Sequence, residues 1–314
     1  MRSAAWVLGI AVVAGASAAA APVEFVVNDA LLKDEPLGGV SIRVAATADP
    51  GAAALVQGET DERGSFKAEL QPGTYYVSYS KPGFVRIQRT PTEVSGVEGQ
   101  TIVTSLAMSL EAEGLEAGTR RLKLVLNWGS DPDAHASDLD SHLYHVESGA
   151  QVYFAQRAAG PLQLDVDDID WGGPETITLT SPPPGTYYYW VHDYSGSPAI
   201  QASQAVVRVI SGDTLQAEYR PQGTVDPQLT AWRPFAALHV TEDSITIADW
   251  PVDELAANPG LAYELPPGGE QDTVAHDNFE GTEPVELGSV CCVMVGMLLA
   301  MAMVGLGLRG MFKS

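Results

Sequence analysis

The sequence predicts an all-β protein: two β-sandwich domains in tandem, preceded by a signal peptide and followed by one C-terminal transmembrane helix. Between Val23 and Leu110, apolar residues alternate in short runs broken by Gly, Pro and Asp, with no sustained helical period. A second set of such runs, richer in aromatics, extends from Leu122 to Ala248. The stretch from Leu287 to Leu308 carries no charge, and about 20 apolar residues in a helix cross a hydrocarbon core of ~30 Å.

Residues 1–20 read as a secretory signal. Arg2 supplies the positive start, Trp6 to Ala14 the apolar segment, and Ala16 to Ala21 the small residues suited to cleavage. Over 21–111, VEFVVND, GVSIRVAAT, GSFKAEL, GTYYVSYS, FVRIQRT and QTIVTSLAMSL are the expected strands of the first sandwich. Successive strand residues point to opposite faces, so each run can bury one side and leave the other to solvent. Asp61 to Gly64 and Gln71 to Gly73 are expected to close hairpins, because Gly and Asp tolerate the positive φ of tight turns.

Thr60-Asp61-Glu62-Arg63-Gly64-Ser65-Phe66, Pro72-Gly73-Thr74-Tyr75 and Lys81-Pro82-Gly83-Phe84 together resemble the carboxypeptidase regulatory-like domain, grouped with transthyretin-like and carbohydrate-binding-like sandwiches. The resemblance implies a spacer or binding module rather than a catalyst. A Glu- and Gly-rich hinge, Glu111 to Gly118, leads to the second sandwich, expected over 119–249. Its strands are LKLVLNW, DSHLYHV, AQVYFAQ, LQLDV, ETITL, GTYYYWVHDY, AVVRVIS, TLQAEYR, FAALHV and SITIA. Leu126-Asn127-Trp128, Asp138 through Leu143, Leu164 through Asp168, Gly173 through Ile177, and Gly185 through Tyr194 resemble an uncharacterised extracellular family called YfaP-like. That resemblance implies the fold and brings no established activity.

The second domain also carries the candidate site. Asp138, Asp140 and His142 are spaced so that a strand projects them from one face, with Leu139 and Leu143 on the other. Asp165, Asp167, Asp168 and Asp170 form a second acidic run. If the runs meet, their crowded carboxylates call for a hard cation, and Ca²⁺ takes six to eight oxygen ligands. The expected metal set is therefore Asp138, Asp140, Asp165, Asp167 and Asp168, with Ca²⁺ the candidate cofactor. The competing explanation is that these aspartates cap turns through their own backbone.

His135, His142, His145 and His192 have neither a cysteine partner nor a helical His-x₃-His spacing, so they are read as hydrogen-bonded histidines rather than zinc ligands. In GTYYYWVHDY, alternation puts Tyr188 and Trp190 on one face and Tyr187 and Tyr189 on the other. Tyr188 and Trp190 are the expected ligand-binding aromatics, suited to stacking against a sugar ring. No catalytic residue is assigned. The sequence has no Gly-x-Ser-x-Gly elbow, His-Glu-x-x-His helix or P-loop, and neighbours such as His192, Asp193 and Ser195 rarely form a triad.

Residues 250–286 are Pro-, Gly- and acid-rich and read as a solvated stalk. The span 287–308 is followed by Arg309 and Lys313, which puts the tail 309–314 in the cytoplasm and the sandwiches outside it. Cys291 and Cys292, the only cysteines, lie in this span, so no disulfide can staple the sandwiches. With 17 Lys and Arg against 40 Asp and Glu, the net charge of −23 repels nucleic-acid phosphates. The expected protein is a membrane-anchored, non-catalytic surface module, Ca²⁺-dependent or glycan-binding, with a glycan or surface protein as partner. The alternative is a membrane-tethered enzyme or enzyme accessory acting on an extracellular glycan or protein.

Overall fold

The computed structural model describes residues 19–221, 231–232, 234–235 and 237–248. The stalk 250–286, the span 287–308 with its two cysteines, the tail 309–314 and all but the last two residues of the signal 1–20 lie outside the described residues. Among the described residues no helix is long and apolar enough to cross a membrane. Their regular structure is entirely β.

The first sandwich comprises β1 (Ala21–Asp29), β2 (Ser41–Ala45), β3 (Ala54–Glu59), β4 (Ser65–Leu70), β5 (Gly73–Ser80), β6 (Ile87–Val94) and β7 (Gln100–Leu106). One sheet has the order β4-β1-β7 and the other β3-β2-β5-β6. Within β1, Val23, Phe25 and Val27 alternate inward and join Ile42, Val44, Val77 and Tyr79 in one core. Each such side chain, fully buried, stabilises by roughly 1.5–3 kcal/mol.

The two turns expected to close hairpins connect different sheets instead. Asp61 Oδ1 accepts hydrogen bonds from the backbone N–H groups of Arg63 (2.9 Å) and Ser65 (3.0 Å), and Gly64 has φ 71°. A Cβ at Gly64 would lie 2.4 Å from the Val27 carbonyl oxygen, so glycine is required there. The local turn chemistry is as expected. However, β3 pairs with β2 while β4 pairs with β1, and β5 pairs with β2 and β6. A turn bends the chain; which partner a strand finds depends on where its apolar face is buried.

The second sandwich has a sheet of order β11-β12-β13-β8-β15-β16 and another of order β10-β9-β14-β18-β19, with β17 beside β14. The first sheet is built from β8 (Arg121–Asn127), β11 (Ala158–Ala159), β12 (Leu162–Val166), β13 (Glu175–Thr180), β15 (Val206–Ser211) and β16 (Thr214–Tyr219). The second is built from β9 (Leu139–His145), β10 (Ala150–Val152), β14 (Gly185–Asp193), β17 (Ala231–Trp232), β18 (Ala237–Val240) and β19 (Ile245–Ala248). Leu122, Leu124 and Leu126 of β8 face Leu139 and Leu143 of β9 and Tyr187, Tyr189 and Val191 of β14 in the core.

The outer face of the β8-β15-β16 sheet is covered by the first sandwich. Val125 and Ile210 pack there against Ala30, Val85 and Ala107. Polar residues complete the junction. Arg208 Nε donates to Glu218 Oε2 at 2.7 Å, Arg220 also pairs with Glu218, and Thr90 of β6 donates its hydroxyl to the same carboxylate. Asn127 Nδ2 donates to Ser105 Oγ of β7 at 2.9 Å. The hinge is held as well, since Glu113 pairs with Arg121 Nε at 2.5 Å and with buried Lys123.

Candidate functional site

At one end of the second sandwich, four strand termini deliver acidic side chains to a common volume. Asp138 precedes β9, Asp140 lies within it, Asp167 and Asp168 follow β12, Glu175 opens β13, and Asp193 closes β14. The antiparallel register of β9 and β14 sets His192 opposite Asp140 and Asp193 opposite Leu139. One carboxylate oxygen each from Asp140, Asp167 and Glu175 lies within 4.8 Å of the others. Oxygens bound at about 2.4 Å to one Ca²⁺ can be no further apart than about twice that length.

These groups are deeply placed and poorly compensated. Asp140 is 2% exposed and Glu175 0%. Asp138, Asp140, Asp167, Glu175 and Asp193 each keep a buried oxygen with no hydrogen-bond partner among the described residues. Burial, and then the charges of Asp140, Asp167, Asp168 and Asp193, push the Asp138 carboxyl up to about 7. Burial, reinforced by Asp140, holds Glu175 well above the usual carboxylate range. Burial also raises Asp168 and Asp193.

The nearby basic side chains are few and peripheral. Lys33, from the loop after β1, reaches Asp168 Oδ1 at 3.2 Å across the junction. Arg157 stands 3.8 Å from Asp167 Oδ2, and His192 Nδ1 3.6 Å from Asp140 Oδ2. Turn capping accounts for part of the cluster: Asp168 Oδ1 accepts from the Asp170 N–H at 3.1 Å, and Asp193 Oδ1 from the Gly196 N–H at 2.9 Å.

Four of the five expected metal residues, Asp138, Asp140, Asp167 and Asp168, are brought together. Asp165 is not. Burial raises its carboxyl too, but its neighbours are Thr178, Arg121, Glu113 and Lys123. Asp165 falls where the β12–β13 register shifts, between Leu164 and Val166, and the groups that act on its carboxyl are not those of the cluster. Glu175 and Asp193 were not assigned from sequence. Glu175 had a readable signal, since alternation with Ile177 and Leu179 puts it on the core-facing side of β13.

Alternation in β14 holds: Tyr187 and Tyr189 are core, and Tyr188 and Trp190 face the other way. Tyr188 is 38% exposed, but Trp190 is 8% exposed and stacks on His142 with ring centroids 5.0 Å apart. The accessible aromatic surface near His142 is instead Phe154, 40% exposed, and Tyr194, 61% exposed, with centroids 5.8 Å apart. Ser195 Oγ donates to Asp193 Oδ1 at 2.7 Å, whereas a serine nucleophile would donate to a histidine.

Fold and site together define a class: tandem β-sandwiches with a carboxylate cluster at one end of the second, within reach of Lys33 from the first. No protein-family model matches the chain, and no curated protein matches it. Among solved structures, the chain is similar to the Bacillus anthracis TIE protein at 15% identity, covering 57% of this chain and 30% of that one, with a TM-score of 0.25. A DUF3823 family protein from Parabacteroides merdae is similar at 13% identity, over 63% of this chain and 95% of that one, with a TM-score of 0.22. A streptococcal ancillary pilin is similar at 12% identity, over 74% and 63% of the two chains, with a TM-score of 0.25.

Proposed function

We propose that this chain is a non-catalytic recognition module displayed outside the cytoplasm, whose second sandwich holds Ca²⁺ through Asp138, Asp140, Asp167 and Glu175. The observation that carries this reading is the convergence of Asp140, Asp167 and Glu175 oxygens within 4.8 Å, with buried oxygens left over on each. Buried carboxylates without counter-charge are costly, and a hard divalent ion with oxygen preference removes that cost. The first sandwich is then a carboxypeptidase regulatory-like spacer packed behind a YfaP-like recognition domain. Display rests on the sequence alone, through the 1–20 signal and the 287–308 span.

Calorimetric titration of the full-length chain in detergent with Ca²⁺ tests the site. One Ca²⁺ per chain is expected, with the heat lost in Glu175→Gln and in Asp167→Asn. Equal heats in wild type and both variants would dismiss it. A glycan reading is favoured by the Phe154 and Tyr194 surface, since exposed aromatic faces suit sugar rings. A glycan screen with Tyr194→Ala as control separates a sugar partner from a protein one.

A further inference from the structure

His142 and His192 stand beside the carboxylate site. In the β9–β14 ladder, His192 is directly opposite Asp140, and His142 is two residues further along the same face of β9. One donor atom each from Asp140, His142 and His192 lies within 4.8 Å of the others. Adjacent positions on one face of a paired ladder are held closely by the backbone itself.

The His142 imidazole is also held rigidly. It lies between Trp190, at 5.0 Å and 17°, and Tyr153, at 5.3 Å and 14°, so both ring faces are covered and its orientation is set. Both of its nitrogens are buried and have no hydrogen-bond partner among the described residues. A neutral imidazole carries one donor and one acceptor, and leaving either unmade in a buried place is unfavourable. Asp140, 2% exposed, likewise has Oδ2 without a hydrogen-bond partner. His192 Nδ1 stands 3.6 Å from that oxygen. That is long for a hydrogen bond but close to the roughly 3.4 Å edge of a tetrahedron of ligands around Zn²⁺.

We infer that Asp140, His142 and His192 form a second metal site, for a borderline-soft divalent ion of the Zn²⁺ class. Two imidazoles and one carboxylate suit zinc and its transition-metal neighbours, whereas the adjoining all-oxygen set suits Ca²⁺. Three protein donors leave a coordination position open, as in zinc sites that accept an outside ligand. That position takes water or an oxygen or nitrogen donor from a ligand lying on Phe154 and Tyr194. Asp140 is common to both metal sets, so the two ions are either bridged by it or compete for it.

The test uses the full-length chain in detergent, free of affinity-tag histidines and stripped with chelator. Zn²⁺ affinity is measured by competition with a chromophoric chelator, and Co²⁺ is added as a spectroscopic substitute. One tight Zn²⁺ is expected, with intense visible Co²⁺ bands of a tetrahedral or five-coordinate site. Affinity should fall by at least about 100-fold in both His142→Gln and His192→Gln, more than the roughly 10–100-fold that loss of an outer-shell partner costs. Glu175→Gln should keep Zn²⁺ binding while losing Ca²⁺, which separates this site from the carboxylate one. His142 is packed between rings, so His192→Gln, with unchanged near-ultraviolet circular dichroism, guards against loss through misfolding. Weak octahedral Co²⁺ bands, or Zn²⁺ affinity unchanged in His192→Gln, would overturn the site.

Discussion

The second sandwich buries carboxylates in two places, and the two behave in opposite ways. At the junction, burial alone would raise Glu218, but Arg220 and Arg208 outweigh it and hold the carboxyl down at about 2. In the acidic cluster, burial raises Asp138 to about 7, and the neighbouring groups that matter most are further carboxylates. One site is complete within the chain. The other is a cluster of acceptors with too few donors, and that difference separates structural charge from a ligand site.

The largest expected effect comes from spoiling the complete site. Glu218→Ala leaves Arg208, itself buried, without its ion-pair partner, and loss of one member of a buried pair costs about 3–5 kcal/mol. Urea unfolding at neutral pH should show the loss. A destabilisation below about 1 kcal/mol would mean that the junction is not a dry, paired network.

In the acidic cluster a neutral substitution should be mild, and the ion should matter. Ca²⁺ at 100 times its Kd stabilises by about 2.7 kcal/mol, which for a chain of this size is a Tm increase of roughly 5–10 °C. Glu175→Gln should abolish that increase without lowering the Tm in chelator. A Ca²⁺-induced shift retained in Glu175→Gln would place the ion elsewhere.

The pH responses should diverge as well. Asp138 has a folded value near 7 against an ordinary 3.8, so its contribution is present at low pH and is lost as pH rises through about 7. In chelator, the Tm should therefore decline by a few degrees from about pH 4 to pH 7 and level off above that, and Ca²⁺ should flatten the decline. Glu218, ordinarily 4.5 and held at about 2, stabilises above pH 4.5, and that stabilisation is lost as pH falls towards 2. Wild type compared with Asp138→Asn isolates the first effect; identical profiles would remove Asp138 from it.

The smallest effect is expected at Lys33, which alone links the first sandwich to the cluster by an ion pair among the described residues. Its side chain is partly exposed, so Lys33→Met should cost only about 0.5–1 kcal/mol. A larger loss in denaturant unfolding would mean that the first sandwich helps to hold the cluster together.

Much of this was legible in the sequence, because alternation is a local property. The runs VEFVVND, ETITL and GTYYYWVHDY declared their inward residues, and Asp138, Asp140 and His142 declared a shared face. Short elements were harder: β3, reading ALVQGE, has few strong apolar residues, and β11 and β17 are two residues each. Lys123, Asn127 and Arg208 look like solvent-facing residues of half-buried strands. They are buried because another domain lies on that face.

By itself, the sequence determined the all-β class, most strand positions, the turn chemistry at Gly64 and the presence of two acidic runs. Those follow from side-chain period and backbone tolerance, which act over a few residues. Tertiary structure alone decided that β3 and β4 part into different sheets, that Asp165 leaves the cluster while Glu175 and Asp193 enter it, and that His142 and His192 meet at Asp140. These outcomes depend on strand partnership and register between residues far apart in the chain, which no local pattern encodes.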